Sequence, residues 1–160
     1  MADARIAVVT GANRGIGFEV SRGLAGKGFH VVMTARDAHA GAIALRKLQA
    51  EHPAAELRKL DVNSADDAQA LGRWLGEHHR HVDVLVNNAG ILPEHSGTGT
   101  ASSDPRKVSP VTLMEIYNTN ALGAVRLIQA LAPLMRSGAR IINVSSGMGA
   151  LHDVGEGFLG

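Results

Sequence analysis

The chain has no cysteine. That excludes disulfide frameworks, thiolate zinc sites and cysteine nucleophiles together, and it fits a reducing compartment. Aromatic residues are nearly as scarce, with three Phe, one Trp and one Tyr in 160 residues. A base-stacking surface for single-stranded nucleic acid needs more. Sixteen basic and fifteen acidic residues leave a formal net charge of +1, and no run of Lys or Arg marks a phosphate-backbone binder. No window approaches the 18 or so uninterrupted apolar residues of a membrane span. Met1-Ala-Asp-Ala-Arg5 is not the basic and then apolar start of a signal peptide. The expectation is a cytoplasmic protein that engages neither nucleic acid nor membrane.

What the chain does have is apolar material and glycine. Apolar residues make up 45% of it, enough for a packed core. Glycine supplies 19 of 160 residues, well above the average of about 7%. No Gly-X-Y period accompanies it, so the excess points to tight turns and close backbone approaches. The length suits one domain, residues 1–160.

Two kinds of segment alternate. Ile6–Thr10, Val31–Thr34, Val82–Val86 and Ile141–Ser145 are β-branched runs, with a weaker one at Ala55–Leu60. Near-continuous apolar runs suit strands buried on both faces. Helical patterns fall between them. Ile16, Val20 and Leu24 mark the first, closed by Gly26 or Gly28. Ile43, Leu45 and Leu48 mark the second. Ser64, with Asp67 three residues on, opens the third in a capping-box pattern, and Ala68, Leu71 and Leu75 form its buried face. The fourth is capped by Ser109, starts at Pro110 and runs through Leu113, Ile116, Leu122, Val125 and Ile128 to about Arg136. This order predicts an α/β fold, a doubly wound parallel sheet of the Rossmann type in three layers, with five strands present. Ile91 to Ser109 shows no periodicity and is expected to be a mobile surface loop.

The first strand ends in Thr10-Gly11-Ala12-Asn13-Arg14-Gly15-Ile16-Gly17, and a helix follows at once. Gly11 permits the turn, while Gly15 and Gly17 let backbone approach a pyrophosphate. The helix N-terminus offers N–H groups and the positive end of its dipole to phosphates. The spacing is G-x-x-x-G-x-G, not G-x-G-x-x-G. The alternative is a ligand-free glycine turn. Where the adenosine ribose of a bound dinucleotide would lie, the second strand ends in Thr34-Ala35-Arg36-Asp37. No acid stands at Ala35 to take a 2′-hydroxyl, while Arg36 and Arg14 can both face a 2′-phosphate. NADP(H) is therefore expected in preference to NAD(H). A solvated loop arginine is the plainer reading of Arg36, and Asp37 is free to cap the second helix.

Five motifs in order, from residue 10 to residue 146, resemble the short-chain dehydrogenase/reductase family, of the NADP-preferring carbonyl reductase type. They are T-G-x-x-x-G-x-G at Thr10–Gly17, Leu60-Asp61-Val62, Asn87-Asn88-Ala89-Gly90, Thr119-Asn120-Ala121-Leu122-Gly123 and Asn143-Val144-Ser145-Ser146. The resemblance implies a cofactor site built from Gly11, Asn13, Arg14, Gly15, Ile16, Gly17, Arg36, Asp61, Val62, Asn88 and Gly90. It implies Asn120 and Ser146 as catalytic residues. It also implies a small-molecule carbonyl or alcohol substrate, hydride transfer by the cofactor and a homo-oligomeric full-length protein. Asn88 has a second reading, as a structural residue bonding the neighbouring loop, and the two roles are compatible.

Family members also use a Tyr-x-x-x-Lys pair, in which the Lys charge lowers the Tyr pKa for proton transfer. That pair is absent here. The single Tyr117 has Ala121 four residues on, and the family's usual spacing from Ser146 falls on Leu159. A longer glycine-rich loop like Gly147–Gly157 would move the Tyr past Gly160. The chain therefore reads as an inactive fragment of a longer enzyme that lacks the C-terminal strands and helices. A non-catalytic dinucleotide-binding module is the alternative. The fifth strand is then expected at an open apolar edge. His78, His79 and His81 cluster beside Glu77, but adjacent residues diverge, so a solvated helix end and no metal are expected.

Overall fold

In a computed structural model of the chain, which describes residues 4–92 and 107–146, all five expected strands lie in one parallel sheet. β1 is Ile6–Val9, β2 His30–Ala35, β3 Glu56–Lys59, β4 Val82–Asn87 and β5 Met135–Asn143, in spatial order β3-β2-β1-β4-β5. The reversal of direction between β1 and β4 creates the switch point outside the carboxyl ends of the strands, where ligands bind in such sheets. Most of the expected loop from Ile91 to Ser109 lies outside the described residues, as do the glycine-rich stretch 147–157 and Leu159.

The central strands are largely apolar because both faces are covered. Ile6 and Val8 of β1 point to a core with Leu60, Val62, Leu71, Leu75, Leu85, Leu127 and Leu131. Ala7 and Val9 point the other way, to Val31, Met33, Ala44 and Leu48, with Phe18, Val20 and Leu24 packed against them. The helices of the first side are α3 (Ala65–His78) and α5 (Gly123–Leu131); those of the second are α1 (Gly15–Gly26) and α2 (Ala38–Gln49). None of the described helices is long and apolar enough to cross a membrane.

Helix ends follow local chemistry. Asp37 caps α2 by accepting from the His39 and Ala40 N–H groups. Gly28, at φ +80, closes α1, where the Phe29 N–H reaches the Leu24 carbonyl. Ser64 caps α3 through the Asp67 N–H, but the Asp67 carboxylate accepts from the Asp61 N–H instead of completing the box. Ser109 caps α4 (Pro110–Tyr117) through the Thr112 N–H.

Four expectations need correction. The fourth helical pattern is not one helix. α4 passes into a π-helical turn, Asn118–Leu122, then α5, then a 3-10 turn, Ala132–Leu134. Its buried stripe is Thr112, Thr119, Gly123, Leu127 and Leu131, which leaves Leu113 and Val125 exposed. Ile16 and Ile43 are exposed too, Ile16 at 63%. The residues of α1 buried against the sheet are Gly17 and Ser21, so the helix packs by its smallest side chains. β5 begins at Met135, not Ile141, and its register with β4 shifts between Val82 and Val84, so that residues 136–139 bulge opposite Asp83. Finally, His79 and His81 are not solvated. His81 is buried against the Ala4 carbonyl and Asp83, and His79 packs beside Trp74, His30 and Glu56.

Candidate functional site

The glycine turn is held by groups from β4. Thr10 Oγ1 accepts from the Asn88 and Ala89 N–H groups and donates to the Val86 carbonyl. The Asn88 amide donates to the Thr10 and Gly11 carbonyls at 2.9 and 3.2 Å. Each glycine answers a different constraint. Gly11 has φ +63, and a Cβ there would lie 2.9 Å from Ala89 Cα. Gly15 has φ +54 with open space around it, so its requirement is conformational. Gly17 is sterically closed, because a Cβ would strike the Asn88 amide and the Gly11 carbonyl oxygen.

The N-terminus of α1 stands at this turn with no side-chain cap and no acid in its first turn. The other three helices that begin after a loop are capped by Asp37, Ser64 and Ser109. Arg14 occupies the cap position, exposed and extended, and Asn13 is half-buried beside it. Arg36 is exposed just beyond β2. The next residue, Asp37, is engaged at its own helix, whose Ala40 and His39 N–H groups hold its carboxyl below the usual range.

A cleft of about 390 Å³ opens at the carboxyl edge, lined in part by Thr10, Val62, Asn88, Gly90, Asn120 and Ser145. Asp61 is half-buried beyond β3, with its carboxylate accepting from the Asn63 N–H. Val62 packs so closely on α5 that a Cβ at Gly123 would come within 2.9 Å of it. Asn120 lies in the π-helical turn, the irregularity that marks many functional sites. Its Oδ1 accepts from the Ile91 N–H at 2.8 Å, and its Nδ2 donates to the Ile91 carbonyl at 2.9 Å. Ser146 is exposed just beyond β5.

Thus the structure gathers Val62, Asn88, Gly90 and Asn120 around one cleft. Gly11, Gly15, Gly17 and Arg14 form the adjoining turn. Ile16, expected at the cofactor site, is exposed at the start of α1 beside the turn. Two supports escaped sequence reasoning. One is Thr10, whose hydroxyl is the pivot between β1 and β4; its signal was the Thr that precedes the glycines. The other is a polar cluster under the π turn. There Asn63 Oδ1 accepts from Asn118 and Thr119, while Arg126 bonds the Asn118 side chain at 2.6 Å.

Residues 5–156 match the short chain dehydrogenase family. The chain belongs to that family. Carbonyl reductase (NADPH) 3 of Rattus norvegicus is 36% identical over 156 residues, covering 96% of this chain and 53% of the relative. The (+)-neomenthol dehydrogenase of Arabidopsis thaliana is 36% identical over 166 residues, covering 94% and 56%. Among solved structures, salutaridine reductase from Papaver somniferum superposes with a TM-score of 0.80 at 31% identity, covering 92% of this chain and 59% of its own. The chain spans about half the length of the curated relatives it matches.

Proposed function

We propose that these residues form the cofactor-binding part of an NADP(H)-dependent oxidoreductase that interconverts an aldehyde or ketone and its alcohol. The observation that carries this reading is the α1 N-terminus, which faces the glycine turn with no side-chain cap while Asn88 fixes that turn from β4. These groups fit a pyrophosphate. Arg14 and Arg36 fit a 2′-phosphate, and the relatives named for NADPH support that choice. Asp61 and Val62 would flank the adenine side, and Asn88 and Gly90 the nicotinamide side.

The cofactor supplies hydride when bound. The residues of this chain bind, position and stabilise. Ser146 would donate a hydrogen bond to the substrate oxygen, where charge develops. Both polar ends of the Asn120 side chain are engaged with Ile91, so Asn120 is a positioning residue that ties the π turn to the segment after β4. The 160 residues contain no Tyr-x-x-x-Lys. Tyr117 lies exposed on α4 with Ala121 four residues on, so a general acid is lacking, an effect worth about 10²–10⁴ in rate. The chain as written is expected to bind NADPH and not to turn over.

The test has two arms. Fluorescence titration should show NADPH binding more tightly than NADH; absence of binding to either would overturn the cofactor assignment. NADPH oxidation against quinones, aldehydes and ketones should match a no-protein blank. Turnover abolished by Ser146→Ala would overturn the claim of inactivity.

A further inference from the structure

At the amino edge of the sheet, away from the glycine turn, three potential ligands converge from three elements. His30 opens β2, Glu56 opens β3, and His79 follows α3. His30 Nε2 is 2.8 Å from Glu56 Oε1, and His79 Nε2 is 3.5 Å from the same oxygen. One ligand atom from each residue lies within 4.8 Å of the other two. The imidazoles are held rather than free. Their ring centroids are 4.7 Å apart, and His79 packs edge-on to Trp74. His79 Nε2 is buried and makes no hydrogen bond. Buried polar atoms are nearly always hydrogen-bonded, so a ring nitrogen that makes no hydrogen bond and lies 3.5 Å from a carboxylate oxygen calls for a closer partner.

We propose that His30, Glu56 and His79 form a binding site for a divalent transition-metal ion, Zn²⁺ foremost. Two imidazoles and one carboxylate are a recurrent zinc donor set that leaves a fourth position for water. Imidazole nitrogen favours Zn²⁺ and its neighbours over Mg²⁺ and Ca²⁺, which take oxygen. Tetrahedral Zn²⁺ holds its ligand atoms about 3.3–3.5 Å apart, from bonds of about 2.0–2.1 Å. The present separations, all within 4.8 Å, therefore have to close by at most about 1.5 Å, which small shifts of the packed rings and of the half-exposed Glu56 supply. Binding replaces the hydrogen bond between His30 and Glu56 with bonds from both to the ion. The ion would tie β2, β3 and the end of α3 together at the edge opposite the proposed cofactor, so its role is to stabilise rather than to catalyse.

The experiment uses the tag-free 160-residue chain. Co²⁺ titration should give the visible bands of a four-coordinate site, saturating at one equivalent and displaced by Zn²⁺. Zn²⁺ should raise the melting temperature, and a chelator should reverse the rise. His30→Ala and His79→Ala should each weaken binding by more than about tenfold, the loss seen even for outer partners of metal ligands. His78→Ala and His52→Ala should leave binding unchanged. Glu56→Gln keeps an acceptor for His30 while removing the anionic ligand, so it carries the test should a histidine variant fail to fold. No saturable binding, or binding that His79→Ala and Glu56→Gln leave intact, would overturn the proposal.

Discussion

Gly17→Ala is expected to be among the most damaging single-methyl additions the chain can receive. The new Cβ would strike two groups, neither free to retreat. One is the Gly11 carbonyl, main chain held in a turn at φ +63. The other is the Asn88 amide, bonded to two carbonyls. Overpacking a tight site costs about 1–3 kcal/mol. Swinging Asn88 aside forfeits two hydrogen bonds, each worth about 0.5–1.5 kcal/mol. The total is roughly 2–6 kcal/mol, or roughly 4–24 °C in melting temperature. Gly23→Ala is the control. It makes the same chemical change six residues further along α1, where nothing lies within 4 Å, and it should stabilise by about 0.5–1 kcal/mol. Urea unfolding, read by the fluorescence of the single Trp74, gives both values, and NADPH titration reports the turn. If the two variants shift stability in the same direction, or if Gly17→Ala binds NADPH as the parent does, the packing argument is wrong.

Arg36→Ala should weaken NADPH by about 1.5–3 kcal/mol, roughly tenfold to a hundredfold, and leave NADH unchanged; equal loss for both would show that Arg36 does not read the 2′-phosphate. Burial of Asp83 opposes its ionisation, but the Ile6 N–H at 2.7 Å and the Arg136 guanidinium at 2.6 Å prevail and hold its pKa below the usual value. A lowered carboxyl pKa contributes stability above about pH 4 that is lost as pH falls through the folded value. Asp83→Asn should therefore cost about 1.5–3 kcal/mol at neutral pH, mostly through the part-buried Ile6 bond, with the exposed Arg136 adding under about 1. Its stability curve should converge with that of the parent in acid, and parallel curves would refute the linkage. Asn120→Ala should destabilise by about 1–3 kcal/mol through the two lost bonds to Ile91, measured by urea unfolding. With Ile141, Ile142 and Val144 exposed on the β5 edge of the sheet, the 160-residue chain should self-associate. A monodisperse monomer at high concentration by light scattering would count against that.

The sheet was legible because its signals are local. β1, β2 and β4 are short, largely β-branched or apolar runs, and Asp37, Ser64 and Ser109 announce the starts of their helices through hydrogen bonds no more than three residues long. The cofactor turn was legible for the same reason, since a positive φ at Gly11 and Gly15 is a demand on single residues. Composition also carried the doubly buried character of β1 and β4, in which nearly every residue is apolar. Ile16 is exposed although it shares the spacing of Val20 and Leu24, because α1 approaches the sheet through Gly17 and Ser21, the positions with the least side chain.

The same blindness to small residues hid the π turn, and the geometry shows why the turn is there. The buried stripe from α4 to α5 starts with Thr112, Thr119 and Gly123, which no hydrophobic pattern reveals. Asn118 and Arg126 bond to each other although they are eight residues apart. At 3.6 residues per turn that separation leaves them about 80° out of phase. The π turn takes up one extra residue, so the pair falls as if seven apart, within about 20° of one face. The extra residue aligns Arg126 with Asn118 and presents Asn120 to Ile91. A variant with one residue deleted between Asn118 and Leu122 should regularise the helix, separate both pairs and reduce NADPH binding more than stability. Retention of full NADPH affinity by such a variant would show that the π turn does not position the site.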